Sequence, residues 1–282
     1  MPMSVDLHTH STCSDGALAP DELRARAVAA GVTLLAITDH DVLPCPQTLV
    51  ARADNLQQIN GIELTAQWNG GVVHVVGLGF RDLAPHLGSG VARQCAARAA
   101  RGEKIAARLE KRGMSGALAG ARAQAGNAPL GRPHFARWLV ESGKARDMEA
   151  AFRLYLSDRS MAGANTEWAS LQDVVQWITA DGGVAVLAHP AKYRYTHTRL
   201  RALVEDFKAA GGTALEVISG LQVPATTRQL ADLCRRFDLR ASVGSDFHGG
   251  AGDPARLGHT NFLPPDLTPV WHAWPDHATT AI

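Results

Sequence analysis

Short apolar runs alternate with helical segments along most of the chain, and this alternation restricts the fold more than any other feature. The run VTLLAITDHD at 32–41 is apolar almost continuously, as expected for a strand of a parallel sheet that is buried on both faces. Six further runs have strand character: VDLHTH, GIEL, VVHVVGLG, VAVLAHP, TALEVIS and LRASVGSDFH. Seven strands separated by helices in this way predict an α/β fold with a parallel barrel, either complete or incomplete and distorted. An open doubly wound sheet is the alternative.

The segment 86–168 differs in character from the rest of the chain. It is rich in alanine and arginine, its apolar residues recur at helical spacing, and it has few strand signals. We expect a helical insertion subdomain here, within a barrel formed by 1–85 and 169–282. Local signals also predict a helix across QTLVARAD and another after Ser170, which forms a capping box with Asp173.

Composition narrows the possible functions. The formal net charge is +1, so the chain lacks the overall basic footprint of most nucleic-acid-binding proteins. The four cysteines are scattered without a C-x-x-C pair, which argues against a zinc knuckle or a disulfide framework. No apolar run reaches the roughly twenty residues of a membrane span, and no charged-then-apolar leader opens the sequence. We therefore expect a cytoplasmic protein that makes no contact with a membrane.

Histidines and carboxylates recur at or near the ends of the predicted strands. His8 and His10 are two residues apart, so on a strand their imidazoles lie on one face. The other strands carry the remaining members of this set: Asp39, His40, Glu63, His74, His189, Asp246 and His248. In parallel barrels the carboxyl ends of the strands form the active-site rim.

Each of these residues has a simpler explanation when it is taken alone. His74 is typical of a core histidine with its hydrogen bonds met, and Asp39 of an aspartate that orients a turn. Separate explanations would have to hold for six strands at the same rim. We reject that combination and infer a shared site. Imidazole and carboxylate ligands suit zinc, manganese or iron, and the number of candidate ligands implies two or three ions.

The motifs DLHTHSTCSDG, AITDHD, GIE, VVHVVG, GRPH, LAHP and GSDFH span residues 6 to 248. In this order they resemble the PHP (polymerase and histidinol phosphatase) family of phosphoesterases. The resemblance implies a distorted (β/α)7 barrel with a trinuclear centre of divalent ions, manganese first, with zinc or iron as alternatives. It implies this ligand set: His8, His10, Asp15, His40, Glu63, His74, His134, Asp246 and His248. Since His134 lies in the insertion, that segment is expected to contribute to the active-site mouth.

Within the family, the D-L-H-x-H-S-x-x-S-D-G motif is similar to that of stand-alone members that act on nucleotides. This implies removal of the 3′-phosphate from nucleoside 3′,5′-bisphosphates, with AMP and phosphate as the products from the adenosine compound. A 5′→3′ exonuclease acting on RNA or short oligonucleotides and a histidinol-phosphate phosphatase are the alternative activities. A metal-stabilised binding module is the alternative without catalysis. No obligate protein partner is evident.

The resemblance also implies that Glu63 bridges two ions. Chemistry and position suggest roles for residues beyond the ligand set. His189 is expected to protonate the leaving group or bind phosphate, with a supporting structural role as the alternative. Arg132 could bind phosphate oxygens through its two-pronged guanidinium, or form a surface ion pair. Lys192, Arg194 and Arg199 are candidates for a second phosphate site, or they belong to an ordinary solvated loop.

Overall fold

The strands of the computed structural model, which describes residues 4–44, 56–157, 166–250, 255–260 and 262–274, form one sheet in sequential order. They are β1 (Val5–Asp6), β2 (Leu34–Ile37), β3 (Gln57–Trp68), β4 (Gly71–Leu78), β5 (Val184–Leu187), β6 (Ala214–Ser219) and β7 (Arg240–Gly244). The sheet closes because the Leu7 amide donates to the Val243 carbonyl at 3.0 Å, and the His10 amide to the Phe247 carbonyl at 2.8 Å. The predicted seven-stranded barrel is confirmed.

β4 is the strand that distorts the barrel. It runs antiparallel to both β3 and β5, whereas the other neighbouring strands pair in parallel. The strand predicted at VVHVVGLG is confirmed as β4, whereas the strand predicted at GIEL is too short, because β3 extends beyond it at both ends and forms one long hairpin with β4. Asn69 and Gly70 form its two-residue turn, with φ of 46° and 75°. Both central residues of a type I′ turn need this left-handed backbone, and Asn-Gly is the pair that adopts it most readily.

Four helices cover the outside of the barrel. They are α1 (Pro20–Ala29), α6 (Leu171–Ala180), α7 (His197–Ala209) and α8 (Pro224–Phe237). The predicted capping box is present, because the Asp173 amide donates to Ser170 Oγ at 3.0 Å. Helix and strand side chains share a fully buried core that includes Ile62, Val75 and Phe207. Among the described helices, none has both the length and the apolar character needed to cross a membrane.

The remaining helices lie between β4 and β5 in the chain and have an apolar cluster of their own. They are α2 (Pro85–Lys111), α3 (Ala117–Ala125), α4 (Arg132–Glu141) and α5 (Met148–Ala151), which continues as a π-helical turn (Phe152–Leu156). Ile105, Leu109 and Phe135 pack at the centre of this cluster. The helix predicted across QTLVARAD lies outside the described residues.

Candidate metal centre

The H-x-H motif lies just beyond β1, at the mouth of the barrel. The rings of His8 and His10 are buried, with centroids 5.2 Å apart. The segment after β7 pairs with this stretch, because the Asp246 amide donates to the His8 carbonyl at 2.8 Å. This backbone pairing brings the Asp246 carboxylate to 3.2 Å from His10 Nε2. Residues from the two ends of the sequence therefore meet at one point.

The carboxylate of Glu63 is the centre of the cluster. It projects from β3 and is completely buried. Its Oε2 atom lies 3.3 Å from His8 Nε2, 3.3 Å from His10 Nε2 and 3.0 Å from His40 Nδ1. Its Oε1 atom lies 2.9 Å from both His74 Nδ1 and His189 Nε2. One carboxylate thus touches five imidazoles, as a group that bridges two cations would.

A second carboxylate serves the outer part of the cluster. Asp15 Oδ1 lies 3.4 Å from His248 Nε2 and 3.9 Å from His10 Nδ1, and Asp15 Oδ2 lies 4.0 Å from His40 Nε2. The rings of His10 and His248 stack with centroids 4.2 Å apart. Asp15 and its histidines therefore adjoin the Glu63 group, with His10 and His40 shared by both.

The electrostatics of the site favour a cation. Burial opposes the charge on Glu63, yet the neighbouring histidines, His40 first, hold the pKa of this carboxyl well below its usual range. Burial likewise opposes the charge on Asp246, and His8 and His10 keep its pKa low. Burial disfavours a protonated His10, but the Asp246 and Glu63 carboxylates raise the pKa of His10 to about 10. These carboxylates demand positive charge, which protons or a divalent ion can supply.

The donor atoms of the cluster suit coordination of metal ions better than hydrogen bonding with one another. Buried atoms without a hydrogen-bond partner in the described part of the chain include His8 Nε2, both ring nitrogens of His10, His40 Nδ1 and Glu63 Oε2. Leaving such polar atoms unsatisfied is costly, and a coordinated cation would satisfy them. Three groups have donor atoms within 4.8 Å of one another: His8, His10, Glu63; His40, Glu63, His74; and His10, Asp15, His40, His248.

Three residues that follow strands have strained backbones. Asp41, His189 and Asp246 have φ of 52°, 28° and 55°, in the left-handed region that residues other than glycine seldom adopt. Each such residue costs about 1–3 kcal/mol and is maintained only by the surrounding structure. The His189 amide donates to Glu216 Oε2 at 2.8 Å, which is one of the contacts that hold it. Strain of this kind concentrates at functional sites, in agreement with a site at this rim.

The structure places His134 apart from the other predicted ligands. Its Nε2 atom lies 3.1 Å from the Ser14 carbonyl oxygen, and its Nδ1 atom accepts the Gly131 amide at 2.9 Å. His134, Asp246 and His189 are in none of the three donor groups, but Asp246 lies against His10 and His189 against Glu63. The predicted role of His189 on the leaving group stays a prediction. The His189 ring stacks on His8 with centroids 5.5 Å apart.

The four predicted cationic residues are dispersed. Arg132 lies in the first turn of α4, with Nη1 3.5 Å from the Leu156 carbonyl oxygen. Lys192 forms an ion pair with Asp246. Arg194 is exposed on the loop after β5. Arg199 donates to the Asn69 carbonyl at 3.3 Å and is directed to the β3–β4 turn. The structure does not bring these four residues together in one phosphate site.

Two buried carboxylates that were not predicted as metal ligands support the site. Glu216, in the middle of β6, lies 3.0 Å from His8 Nδ1 and so orients that ring. Asp39, which was considered only as a strand-end or turn residue, accepts hydrogen bonds from the Ser11 amide at 2.9 Å and from the hydroxyls of Ser11 and Ser14 at 2.5 Å. A charged residue inside the otherwise apolar run TALEVIS was the available signal for Glu216.

A cavity of about 670 Å³ opens beside the loop that carries Asp15. Its walls come from the β1 and β2 loops (Ser14, Leu43), from α2 (Cys95) and from α4 (His134, Arg137). Arg137 also donates to the Asp15 carbonyl oxygen. The space is large enough for a small ligand, and its lining residues Ser14 and Gly16 flank Asp15 in the sequence.

The comparison with known proteins agrees with this geometry. The PHP domain family model matches residues 6–112. A 3′,5′-nucleoside bisphosphate phosphatase from Chromobacterium violaceum is 40% identical over 271 residues, which cover 95% of each chain. The chain belongs to the PHP family.

Two further relatives of this PHP protein cover nearly its whole length. A 5′-3′ exoribonuclease from Haemophilus influenzae is 38% identical, over 96% of this chain and 99% of the relative. A solved structure of an amidohydrolase from Chromobacterium violaceum, with bound sulfate and no metal, superimposes with a TM-score of 0.87. It is 39% identical and covers 97% of this chain and 96% of that chain. The resemblance found in the sequence motifs is confirmed.

Proposed function

We propose that this PHP protein is a metal-dependent phosphoesterase that removes the 3′-phosphate from nucleoside 3′,5′-bisphosphates. With adenosine 3′,5′-bisphosphate the products are AMP and phosphate. The observation that carries the proposal is the buried Glu63 carboxylate with imidazole nitrogens at 2.9–3.3 Å. The relative that is a 3′,5′-nucleoside bisphosphate phosphatase supports the choice of substrate.

The donor set suits three divalent ions, with manganese as our first assignment. One group is His8, His10, Glu63 and Asp246; another is Glu63, His74 and His189; the third is Asp15, His40 and His248. In this assignment His189 takes the place that the motif gave to His134, because, of these two histidines, it is His189 that lies against Glu63 in the described contacts. Divalent ions at such sites lower the pKa of bound water and neutralise phosphate oxygens.

The residues of the chain position the substrate around this centre. We place the nucleoside in the cavity beside the Asp15 loop, where the insertion 86–168 acts as a subdomain that forms one wall of the mouth. Arg137 lies at that wall and is a candidate partner for the 5′-phosphate. Arg132, five residues before Arg137 on α4, remains a second candidate because a guanidinium can bind two phosphate oxygens at once.

A 5′→3′ exonuclease is the second candidate activity, and the exoribonuclease relatives favour it. In both substrates, the bond broken would be the one between the 3′ oxygen of the first nucleotide and phosphorus. In the bisphosphate, the 3′-phosphate is terminal; in an oligonucleotide, it joins the first nucleotide to the second. One centre could therefore act on both, provided that the rest of the strand has a path away from the ions.

Phosphate release from metal-free protein reloaded with manganese tests the proposal. The substrates are adenosine 3′,5′-bisphosphate, histidinol phosphate and, with nucleotide release as the readout, a 5′-phosphorylated RNA oligomer. We expect turnover of the bisphosphate to require metal. Glu63→Gln should lower it at least 100-fold, above the roughly 10- to 100-fold loss seen for residues that only orient ligands.

The matched control is Glu149→Gln on α5, whose side chain is 81% exposed and pairs only with Arg153 in the described contacts. This variant should keep full activity. Preferred turnover of histidinol phosphate would contradict the choice of substrate. Metal binding without turnover of any phosphoester would support the binding module instead.

A further inference from the structure

A row of aromatic rings leads outward from the metal centre along the loop after β5. The ring of Tyr193 lies 5.5 Å from that of His189, and the ring of Tyr195 lies 5.6 Å from that of Tyr193. The ring of Trp68, which is buried, lies 5.9 Å from that of Tyr195 and supports it from the barrel side. The guanidinium of Arg199 covers Tyr195 at 4.3 Å and Trp68 at 5.7 Å. We call Tyr193, Tyr195, Trp68 and Arg199 the aromatic track.

Hydrogen bonds fix the orientation of the rings in the aromatic track. The Tyr193 hydroxyl donates to the Ala188 carbonyl at 2.8 Å and accepts the His74 amide at 2.9 Å. Trp68 Nε1 donates to Asp206 Oδ2 at 2.8 Å. At position 71, a Cβ atom would lie 2.7 Å from the Tyr195 hydroxyl, so the glycine there leaves room for this ring. A surface that is ordered in advance loses little conformational entropy when a ligand binds.

The outer part of the track is basic and accessible. Tyr195 is partly exposed, and Arg194, His197 and Arg199 beside it are exposed. Aromatic rings interleaved with cationic side chains are the combination that binds single-stranded nucleic acids without sequence preference. Bases stack on tyrosine rings and on the planar guanidinium of arginine, and phosphates are drawn to the same charges.

The tyrosines of the track and the cavity lie at different strands of the barrel mouth. The cavity is bounded by loops after β1 and β2, whereas Tyr193 and Tyr195 follow β5 and Trp68 ends β3. In the closed order of seven strands, β5 is at least three strands away from β1 and β2 in either direction. A strand with its first nucleotide in the cavity and its scissile phosphate at the ions would therefore continue toward Tyr195.

We infer that the aromatic track binds the nucleotides on the 3′ side of the scissile phosphate in a single-stranded oligonucleotide. The inference rests on the proposed function and deepens it, since it assigns a separate surface to the part of the substrate that a mononucleotide lacks. Tyr195 and Arg199 supply the stacking faces, and Arg194 and Arg199 the charge. The mononucleotide bisphosphate ends at the ions and does not reach this surface.

Comparison of two substrates tests the inference. The probes are adenosine 3′,5′-bisphosphate and a 5′-phosphorylated tetraadenylate RNA, with kcat/KM measured for both. Tyr195→Leu removes the aromatic face and retains apolar volume, so we expect kcat/KM for the RNA to fall about tenfold, within the range for loss of one base stack. Turnover of the bisphosphate should stay within twofold, and Tyr195→Phe should restore the RNA activity.

Arg199→Gln is a second variant, at an exposed position where the fold is not at risk. It should lower kcat/KM for the RNA and make its logarithmic salt dependence shallower by about 0.7, as expected for one lost phosphate contact on a single strand. Arg201→Gln is the matched control, since Arg201 is another partly exposed arginine on α7 and pairs with Glu205 at 3.5 Å. It should change neither substrate's turnover.

Failure of the proposed function and failure of the aromatic-track inference would give different results. Wild-type protein that hydrolyses neither substrate would overturn the proposed function itself. Wild-type protein that hydrolyses the bisphosphate but not the RNA would overturn the aromatic track alone. So would RNA turnover that is unchanged in both Tyr195→Leu and Arg199→Gln, or an equal loss on both substrates in the two variants.

Discussion

Replacement of Arg98 by methionine should destabilise the protein through one buried ion pair between α2 and the barrel mouth. Arg98 Nε lies 2.6 Å from Asp41 Oδ2, and the two side chains are 9% and 0% exposed. Asp41 also accepts the Thr65 amide at 2.9 Å and the Thr65 hydroxyl at 3.0 Å. Methionine retains the apolar length of the side chain and removes the charge, so the Asp41 carboxylate is left buried without its cation.

The size of the loss can be worked from these contacts. Removing one partner of a buried pair costs about 3–5 kcal/mol. The neutral donors of Thr65 and the Gln94 amide, at 3.3 Å, remain on Asp41 and limit the penalty. We therefore expect the free energy of unfolding to fall by about 3 kcal/mol, at the lower end of that range.

Urea denaturation followed by circular dichroism measures this change. The control is Arg93→Met on the same helix, where the pair with Asp173 spans 3.3 Å between side chains that are 54% and 41% exposed, so the loss should not exceed about 1 kcal/mol. Asp41→Asn in the Arg98→Met background should recover part of the stability, because asparagine is neutral and tolerates the φ of 52° at this position. Equal losses from the two arginine variants, or no recovery in the double variant, would refute the reasoning.

Two further predictions concern the metal centre. His189→Ala should reduce the bound manganese measured by elemental analysis, because His189 touches Glu63, whereas His134→Ala should leave the metal content unchanged; the reverse pattern would restore His134 as the ligand. Glu216→Gln should lower metal affinity by about 10- to 100-fold in a titration, since Glu216 orients the His8 ring from 3.0 Å, and an unaltered affinity would contradict that role.

The sequence predicted the elements of the barrel well because periodicity and local signals determine them. The strand that ends at Ile37 is a continuous apolar run, and the helix after Ser170 begins at a capping box, both of which are visible without tertiary information. The β3–β4 hairpin was missed although its signal was present, since Asn69-Gly70 lies between two apolar runs. GIEL was taken as a complete strand because the polar residues before it concealed the true length of β3.

The structure brings most of the predicted ligands together, and it places His189, not His134, against Glu63. His189 and His134 both lie next to a proline, and local sequence does not show which of them faces Glu63. That depends on how α4 docks, where the Ser14 carbonyl and the Gly131 amide engage His134. Glu216 was missed for a similar reason. Its partner His8 is 208 residues away, so no local pattern identifies it.

The reversed direction of β4 has a consequence for how the protein folds. A two-residue turn brings β3 and β4 together, whereas the neighbouring pairs in the barrel must wait for a long stretch of chain to close. Hairpins form in about 1–10 μs, well before contacts between distant segments. Glu63 and His74 are both in this hairpin, so we expect the first part of the metal centre to form during the earliest stage of folding. The N-terminal histidines would join it once the ends of the chain meet.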